Sequence, residues 1–105
     1  MEKEAYMNVI INSVHFKTDK KLETFIREKM GKFPSVYDAV IGAEVKLKLD
    51  NNGSPENKIA EVRLMIKGND LFAVKEARTF EEATSKAADV LLRQLRKHKE
   101  KIRGK

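Results

Sequence analysis

Cysteine and tryptophan are both missing from this sequence of 105 residues, which also has only five glycines and two prolines. The lack of cysteine excludes disulfides, thiolate nucleophiles and thiolate metal ligands, and it favours a reducing, cytoplasmic compartment. No apolar run approaches the roughly 20 residues that a membrane-spanning helix needs, and the scattered glycines form no phosphate-binding loop. We therefore expect no membrane partner and no nucleotide-binding loop of that kind.

Residues suited to catalysis are few and far apart in the sequence. His15 is predicted in a first strand and His98 near the end of a second helix, and no two histidines have metal-ligand spacing. Glu81 and Glu82 are explained by a helix start, Glu82 as the partner in a capping box. Because no nucleophile, base and orienting group come together, we expect no enzyme, no cofactor, no metal and no small-molecule substrate. His98 is expected to be a packed or partly exposed ring.

The first third of the chain predicts a strand followed by a helix. The run at 7–16 is rich in β-branched and apolar residues, as strands are. Thr18-Asp19 is a plausible helix start, and apolar residues then recur at helical spacing as far as Phe33. Pro34 is expected to end this helix, and residues 36–38 to form a turn.

The rest of the chain predicts three strands in succession and a long second helix. The long helix begins with the capping box of Thr79 and Glu82 and should exceed twenty residues. The other strands are predicted to begin at Ile41 and to cover 60–67 and 71–77, with turns at 50–55 and 68–70. The strand that begins at Ile41 is expected to direct Ile41, Ala43, Val45, Leu47 and Leu49 to one face.

The resulting fold class is α+β, a two-layer sandwich with element order β-α-β-β-β-α. The sheet has four strands, and a set of polar side chains leaves one of its faces in water, so both helices should cover the other face. We predict one domain over residues 7–105, preceded by a flexible extension at 1–6. The exposed polar set is Glu44, Lys46, Lys48, Glu61, Arg63 and Lys67.

The last thirteen residues, 93–105, carry the whole net charge of +6, with seven Lys/Arg against one Glu. Residues 1–92 are balanced, with fifteen residues of each sign. Lys and Arg near a helix end can simply complement the helix dipole, but two or three are enough for that. A neutral body that ends in a cationic helix favours a polyanion, and nucleic acid is the polyanion that fits best.

The cations of the second helix are expected to form one surface, which we call the basic ridge. Such a ridge can follow a phosphate backbone, and because it lacks aromatic residues and an Asn placed for base edges, folded RNA recognised by shape fits best. Lys21, Lys29 and Lys32 of the first helix can extend it, although Glu23 and Glu28 allow an ordinary mixed-charge surface there. The ridge comprises Lys86, Arg93 and Lys97 opposite the buried side, Arg96, Lys99 and Arg103 on one flank, and Lys101 towards the other.

The segment 93–101 matches the R-Q-L-x-K-H-K-x-K ending of the long helix in the ribosome hibernation promoting factors, or ribosome-associated translation inhibitors. An older label of this family is modulator of an alternative sigma factor. The resemblance covers about residues 7–101. Its weaker matches are Met7-Asn8, Glu28-Lys29 with Lys32-Phe33, Tyr37-Asp38 and Ala73.

The resemblance implies a fold similar to double-stranded RNA-binding domains and a protein without enzymatic activity. It further implies binding to the small ribosomal subunit, where the protein fills the channel for messenger RNA and the A- and P-site tRNAs of idle ribosomes, as in stress or stationary phase. Residues that would contact ribosomal RNA are Arg93, Arg96, Lys97, Lys99 and Lys101, with Lys29 and Lys32 contributing, and the ridge adds Lys86.

Two departures from the family pattern bear on this interpretation. Thr79-Phe80-Glu81 stands where relatives often have D-M-Y, so a contact by that tyrosine is absent. The chain also ends soon after the motif, which is typical of the short type without a dimerising second domain. Whether the protein acts with a second hibernation protein, or promotes ribosome dimers, stays an open question.

The alternative functions are a free-standing module for structured RNA and a transcription-associated modulator. No DNA-reading helix in the sequence supports the second of these.

Overall fold

The structure is a computed structural model that describes residues 7–51 and 53–103, with the side chains of the described chain followed as far as Lys101. The extension predicted at 1–6 lies outside these residues. The elements in chain order are β1 (Asn8–Ser13), α1 (Lys20–Met30), α2 (Phe33–Val36), β2 (Val40–Leu49), β3 (Lys58–Ile66), β4 (Leu71–Ala77) and α3 (Phe80–Arg103).

The four strands form one mixed sheet in the order β1-β2-β3-β4. β1 runs parallel to β2, because α1 returns the chain to the same end of the sheet, and the hairpins β2-β3 and β3-β4 are antiparallel. α3 packs on β3 and β4 and against α1. The predicted α+β sandwich, with β-α-β-β-β-α order apart from the short α2, is confirmed.

The core lies between the sheet and the helices. Alternate residues of the central strands point into it, and the described apolar side of α3 closes it as predicted. Burial of these side chains supplies the main favourable free energy of folding. The largest fully buried apolar side chains are Ile26, Met30, Leu47, Leu64, Leu91, Leu95, Val45 and Val62.

The sequence pattern suggested that Pro34 ends the first helix, and this prediction was wrong. α1 already ends at Met30, and Gly31 follows as its C-cap. Pro34 instead lies in the first turn of α2, where its missing N–H costs no hydrogen bond and its fixed φ suits a helix. Phe33 is therefore the first residue of a separate helix rather than the last of α1, and Val36 is helical rather than part of a turn.

A β-bulge changes the predicted alternation at the start of β2. The pairing with β3 shifts between Val40 and Gly42, so Val40 is buried and Ile41 is 61% exposed. Ala43, Val45 and Leu47 point inward as expected, whereas Leu49, at the end of the strand, is exposed. The expectation that Ile41 and Leu49 share the inner face was wrong. The bulge adds one residue at Ile41 and the strand ends at Leu49, and the alternation in the sequence shows neither feature.

The first strand is shorter than predicted and ends at Ser13. His15 therefore lies beyond β1, in the left-handed region with φ of 66°. The next residue, Phe16, stacks on Phe80 with the ring centroids 4.9 Å apart, and this contact joins the loop to the start of α3. At that start, the Glu82 N–H donates a hydrogen bond of 3.0 Å to Oγ1 of Thr79, which is the Thr79 half of the predicted capping box.

Candidate nucleic-acid interface

α3 presents a row of free cations on its exposed surface, away from the core. Lys86, Arg93, Arg96 and Lys97 are all exposed, and none has a hydrogen bond or ion pair within the described part of the chain. The spacing of 1.5 Å per residue places Lys86 and Lys97 about 16 Å apart along the helix. This length is enough for contacts with several phosphates.

On the outer face of the sheet, by contrast, two of the cations are held in ion pairs. The guanidinium of Arg63 lies 3.2 Å from Glu44 and 2.8 Å from Asp70, and the ammonium of Lys48 lies 2.7 Å from Glu61. The hydrogen bond from Arg63 to Asp70 raises the pKa of Arg63 above its usual value, and the negative charge of Asp70 adds a smaller increase. Lys48 and Arg63 are thus locally neutralised, unlike the exposed cations of α3.

Lys99 differs from the other described cations of the basic ridge. It is half-buried, and its Nζ donates a hydrogen bond of 3.0 Å to the carbonyl oxygen of Val36, the last residue of α2. Helix carbonyls at this position lack an intrahelical partner. Lys99, which the resemblance assigns to ribosomal RNA, is therefore placed to hold α2 against α3. Lys101 is exposed, and the side chain of Arg103 lies outside the described residues.

His98 packs as the sequence predicts, as a half-buried ring. Its ring meets Tyr37 edge to face, with the centroids 5.8 Å apart. Its Nε2 is buried and has no hydrogen-bond partner in the described structure. His98 and Lys99 thus contact the same segment, the end of α2 and the residue that follows it.

The structure brings Lys29 and Lys32 to the flank of α3, as the sequence analysis required for a shared surface. Together with Arg96 they border a groove between α3 and the segment that contains α2. Lys29 is half-buried, with its Nζ 5.7 Å from the centre of the Phe25 ring, whereas Lys32 is exposed. Lys21 is exposed but lies outside this groove.

Sequence reasoning did not find the groove or its single carboxylate, Asp89. The apolar periodicity of each helix was visible in the sequence, but the placement of α2 beside α3 was not. Among the described residues, no cluster of His, Asp or Glu could hold a metal ion, and no helix is long and apolar enough to cross a membrane.

Comparison with known proteins agrees with the fold. Ribosome hibernation promoting factor from Pseudomonas putida is 32% identical over 95 residues, which cover 90% of this chain and 89% of the relative. A ribosomal subunit interface protein from Coxiella burnetii has the same fold, with a TM-score of 0.78, 15% identity, and coverage of 89% of this chain and 98% of that chain.

The N-terminal domain of Thermus thermophilus Protein Y also shares the fold, with a TM-score of 0.73, 18% identity, and coverage of 90% of this chain and 99% of that one. The family model described as sigma 54 modulation protein / S30EA ribosomal protein matches residues 9–103, which include α3 and its cations. The chain therefore belongs to this family, that of the ribosome hibernation promoting factors.

Proposed function

We propose that this protein binds the RNA of the small ribosomal subunit and silences idle ribosomes by filling the path of messenger RNA and of the A- and P-site tRNAs. The observation that carries the proposal is the row of unpaired cations along α3. Folding leaves these charges without partners, while it pairs Lys48 and Arg63 of the outer sheet face. Unpaired, regularly spaced cations gain most from a phosphate backbone, because binding releases its condensed counterions.

The residues proposed to contact ribosomal RNA lie on one side of the molecule. They recognise backbone and shape, which is how proteins bind folded RNA whose base edges are inaccessible. The protein acts by occupancy, without a catalytic step or cofactor, in the cytoplasm where its partner resides. The contact residues of the described structure are Lys86, Arg93, Arg96, Lys97 and Lys101 on α3, with Lys29 and Lys32 beside them.

The relatives support the ribosome rather than another RNA as the partner. The relative from Pseudomonas putida is named for ribosome hibernation, and the protein from Coxiella burnetii is described as a ribosomal subunit interface protein. Reversibility follows from the chemistry, because a complex that depends on phosphate contacts weakens steeply as salt or a competing polyanion increases.

Competition with the ligands of a translating ribosome tests this function. Labelled protein is bound to vacant ribosomes on filters, and messenger RNA and initiator tRNA are then titrated in. We expect the protein to be displaced as both ligands bind. Simultaneous saturation by all three would overturn the channel-filling mechanism and favour a free-standing module for structured RNA.

Sedimentation of a stationary-phase lysate provides the matching test of the partner. We expect the protein to migrate with the small subunit and with whole ribosomes, and the same gradient reports whether ribosome dimers accompany it. A protein found only in the free pool at the top of the gradient would contradict the proposal.

A further inference from the structure

The groove between α2 and α3 has an apolar floor. Its volume is about 400 Å³, within the size range of small-ligand sites. Phe33 and Val36 line it from α2, and Ala88 and Leu92 line it from α3. Phosphate contacts alone do not require such a floor, because cations on an open surface are enough for them.

The rim of the groove is cationic and comes from three segments of the chain. Lys29 belongs to α1, Lys32 precedes α2, and Arg96 is part of the basic ridge. Lys32 and Arg96 are exposed and unpaired within the described residues. Since Arg96 borders both surfaces, a strand of RNA that follows the ridge passes the mouth of the groove.

An apolar floor with a cationic rim is complementary to a ligand that has a flat apolar part and an adjoining phosphate. We propose that the groove holds one unstacked nucleotide of the ribosomal RNA, with its base over the floor and its phosphate at the rim. Unpaired bases that turn out of a helix are the parts of folded RNA that proteins recognise individually. This inference rests on the proposed function and adds a base-reading site to a surface that otherwise contacts only backbone.

Asp89 gives the site a preference among bases. It is exposed on α3, lines the groove, and has no hydrogen bond or ion pair among the described residues. A carboxylate beside a phosphate site costs binding energy unless it accepts hydrogen bonds from the ligand. Cytosine, adenine and guanine each present an amino group with two N–H donors, whereas uracil presents to a carboxylate only the single N–H at its ring N3. The groove should therefore prefer a base that carries an amino group over uracil.

RNA hairpins test the site in the full-length protein. The probes are identical except for one bulged nucleotide, which is C, A, G or U, and a fully paired hairpin serves as reference. Binding is followed by fluorescence anisotropy at fixed salt. We expect hairpins with bulged C, A or G to bind roughly fivefold to a hundredfold more tightly than the paired one, as expected for one base on an apolar platform. The hairpin with bulged U is expected to gain least.

Two pairs of variants separate the groove from general electrostatics. Asp89→Asn and Glu82→Gln each remove one negative charge from the exposed side of α3, but Glu82 lies outside the groove. Only Asp89→Asn should abolish the preference among bulged bases.

A second pair of variants tests the apolar floor. Leu92→Gln and Val90→Gln alter half-buried apolar residues on opposite flanks of α3, and only Leu92 lines the groove. Only Leu92→Gln should abolish the tighter binding of bulged hairpins over the paired one. The two variants should have similar unfolding temperatures, so that a difference in binding does not come from a difference in stability.

Three results would overturn the inference, and each is distinct from failure of the proposed function. If the paired hairpin binds as tightly as the bulged ones and ribosome binding is intact, the nucleotide site is excluded but the proposed function is not. Equal effects of Asp89→Asn and Glu82→Gln on base preference exclude Asp89 as the reader. Free nucleoside 5′-monophosphates that compete as well as the bulged hairpins assign the groove to a free nucleotide. Loss of ribosome binding itself by the unaltered protein would instead contradict the proposed function.

Discussion

Lys99 and Val36 are 63 positions apart in the sequence, yet the ammonium of Lys99 donates a hydrogen bond of 3.0 Å to the Val36 carbonyl oxygen. The bond satisfies a carbonyl at the end of α2 and ties the last turns of α3 to it. The edge-to-face contact of His98 with Tyr37 strengthens the same junction. The basic motif at 93–101 therefore combines cations that project outward with residues that hold α2, and with it one wall of the groove, in place.

Replacing Lys99 should affect stability more than binding. Lys99→Met removes the hydrogen bond but keeps the aliphatic part of the side chain, and we expect a loss of about 1–2 kcal/mol because a charged donor is lost from a half-buried site. Lys101→Met, which alters an exposed cation two residues later, should stay within about 0.5 kcal/mol. Urea unfolding measures both.

The salt dependence of ribosome binding separates the same two variants further. Lys101→Met should reduce the slope of log K against log salt by about 1, and Lys99→Met should leave it unchanged. A reduced slope for Lys99→Met with unchanged stability would show that Lys99 contacts phosphate instead.

Leu95 tests the orientation of α3. Its side chain is fully buried under the sheet, and truncation to alanine should lower the free energy of unfolding by about 2–5 kcal/mol. The matched variant Lys86→Ala, on the exposed side, should change it by less than about 0.5 kcal/mol. Similar values for the two variants in urea titrations would mean that the buried side of the helix is assigned incorrectly.

Gly42→Ala tests the close approach of β1 and β2 at the bulge. A Cβ at Gly42 would lie 2.9 Å from the backbone oxygen of Asn8 and 2.9 Å from Cε of Met65. The Met65 side chain can move, but the β1 backbone cannot move without weakening its parallel pairing with β2. We expect a loss of about 1–3 kcal/mol.

The sign of the change at Gly42 is diagnostic. Without steric conflict, replacement of glycine by alanine stabilises a protein by about 0.4–1 kcal/mol through the unfolded state. A higher unfolding midpoint for Gly42→Ala would therefore contradict the packing described here.

The sequence was sufficient to predict the fold, because its strands and helices are strongly periodic and follow one another through clear turn signals. The hydrophobic spacing of α3 correctly identified Leu91 and Leu95 as buried, and the Thr79 capping box located the start of the helix. The errors concerned local geometry that periodicity does not encode. Pro34 suits a helix start as well as a helix end, and the bulge before Gly42 shifts the alternation by one residue.

The candidate site was predictable only in part, for a related reason. The wheel of α3 identifies which cations face away from the core, and Lys86, Arg93 and Lys97 are exposed as expected. The helical wheel does not predict which segments of the chain pack beside α3. The partner of Lys99 and the groove with Asp89 both depend on α2, a helix of four residues that carries no periodic signal.

The central claim is that the free cations of α3, rather than the overall positive charge, bind the small ribosomal subunit. Its most direct test compares two double charge reversals, Arg93→Glu with Lys97→Glu on α3, and Lys46→Glu with Lys67→Glu, which are exposed and lie off the helical face. Both pairs change the net charge equally, so a long-range effect weakens both alike. Binding to purified small subunits is measured across a fourfold range of salt. We predict that the α3 variant binds far more weakly with a salt slope reduced by about 2, and that the other variant keeps the slope of the unaltered protein. Equal losses in the two variants, or an α3 variant that binds and inhibits translation like the unaltered protein, would contradict the account.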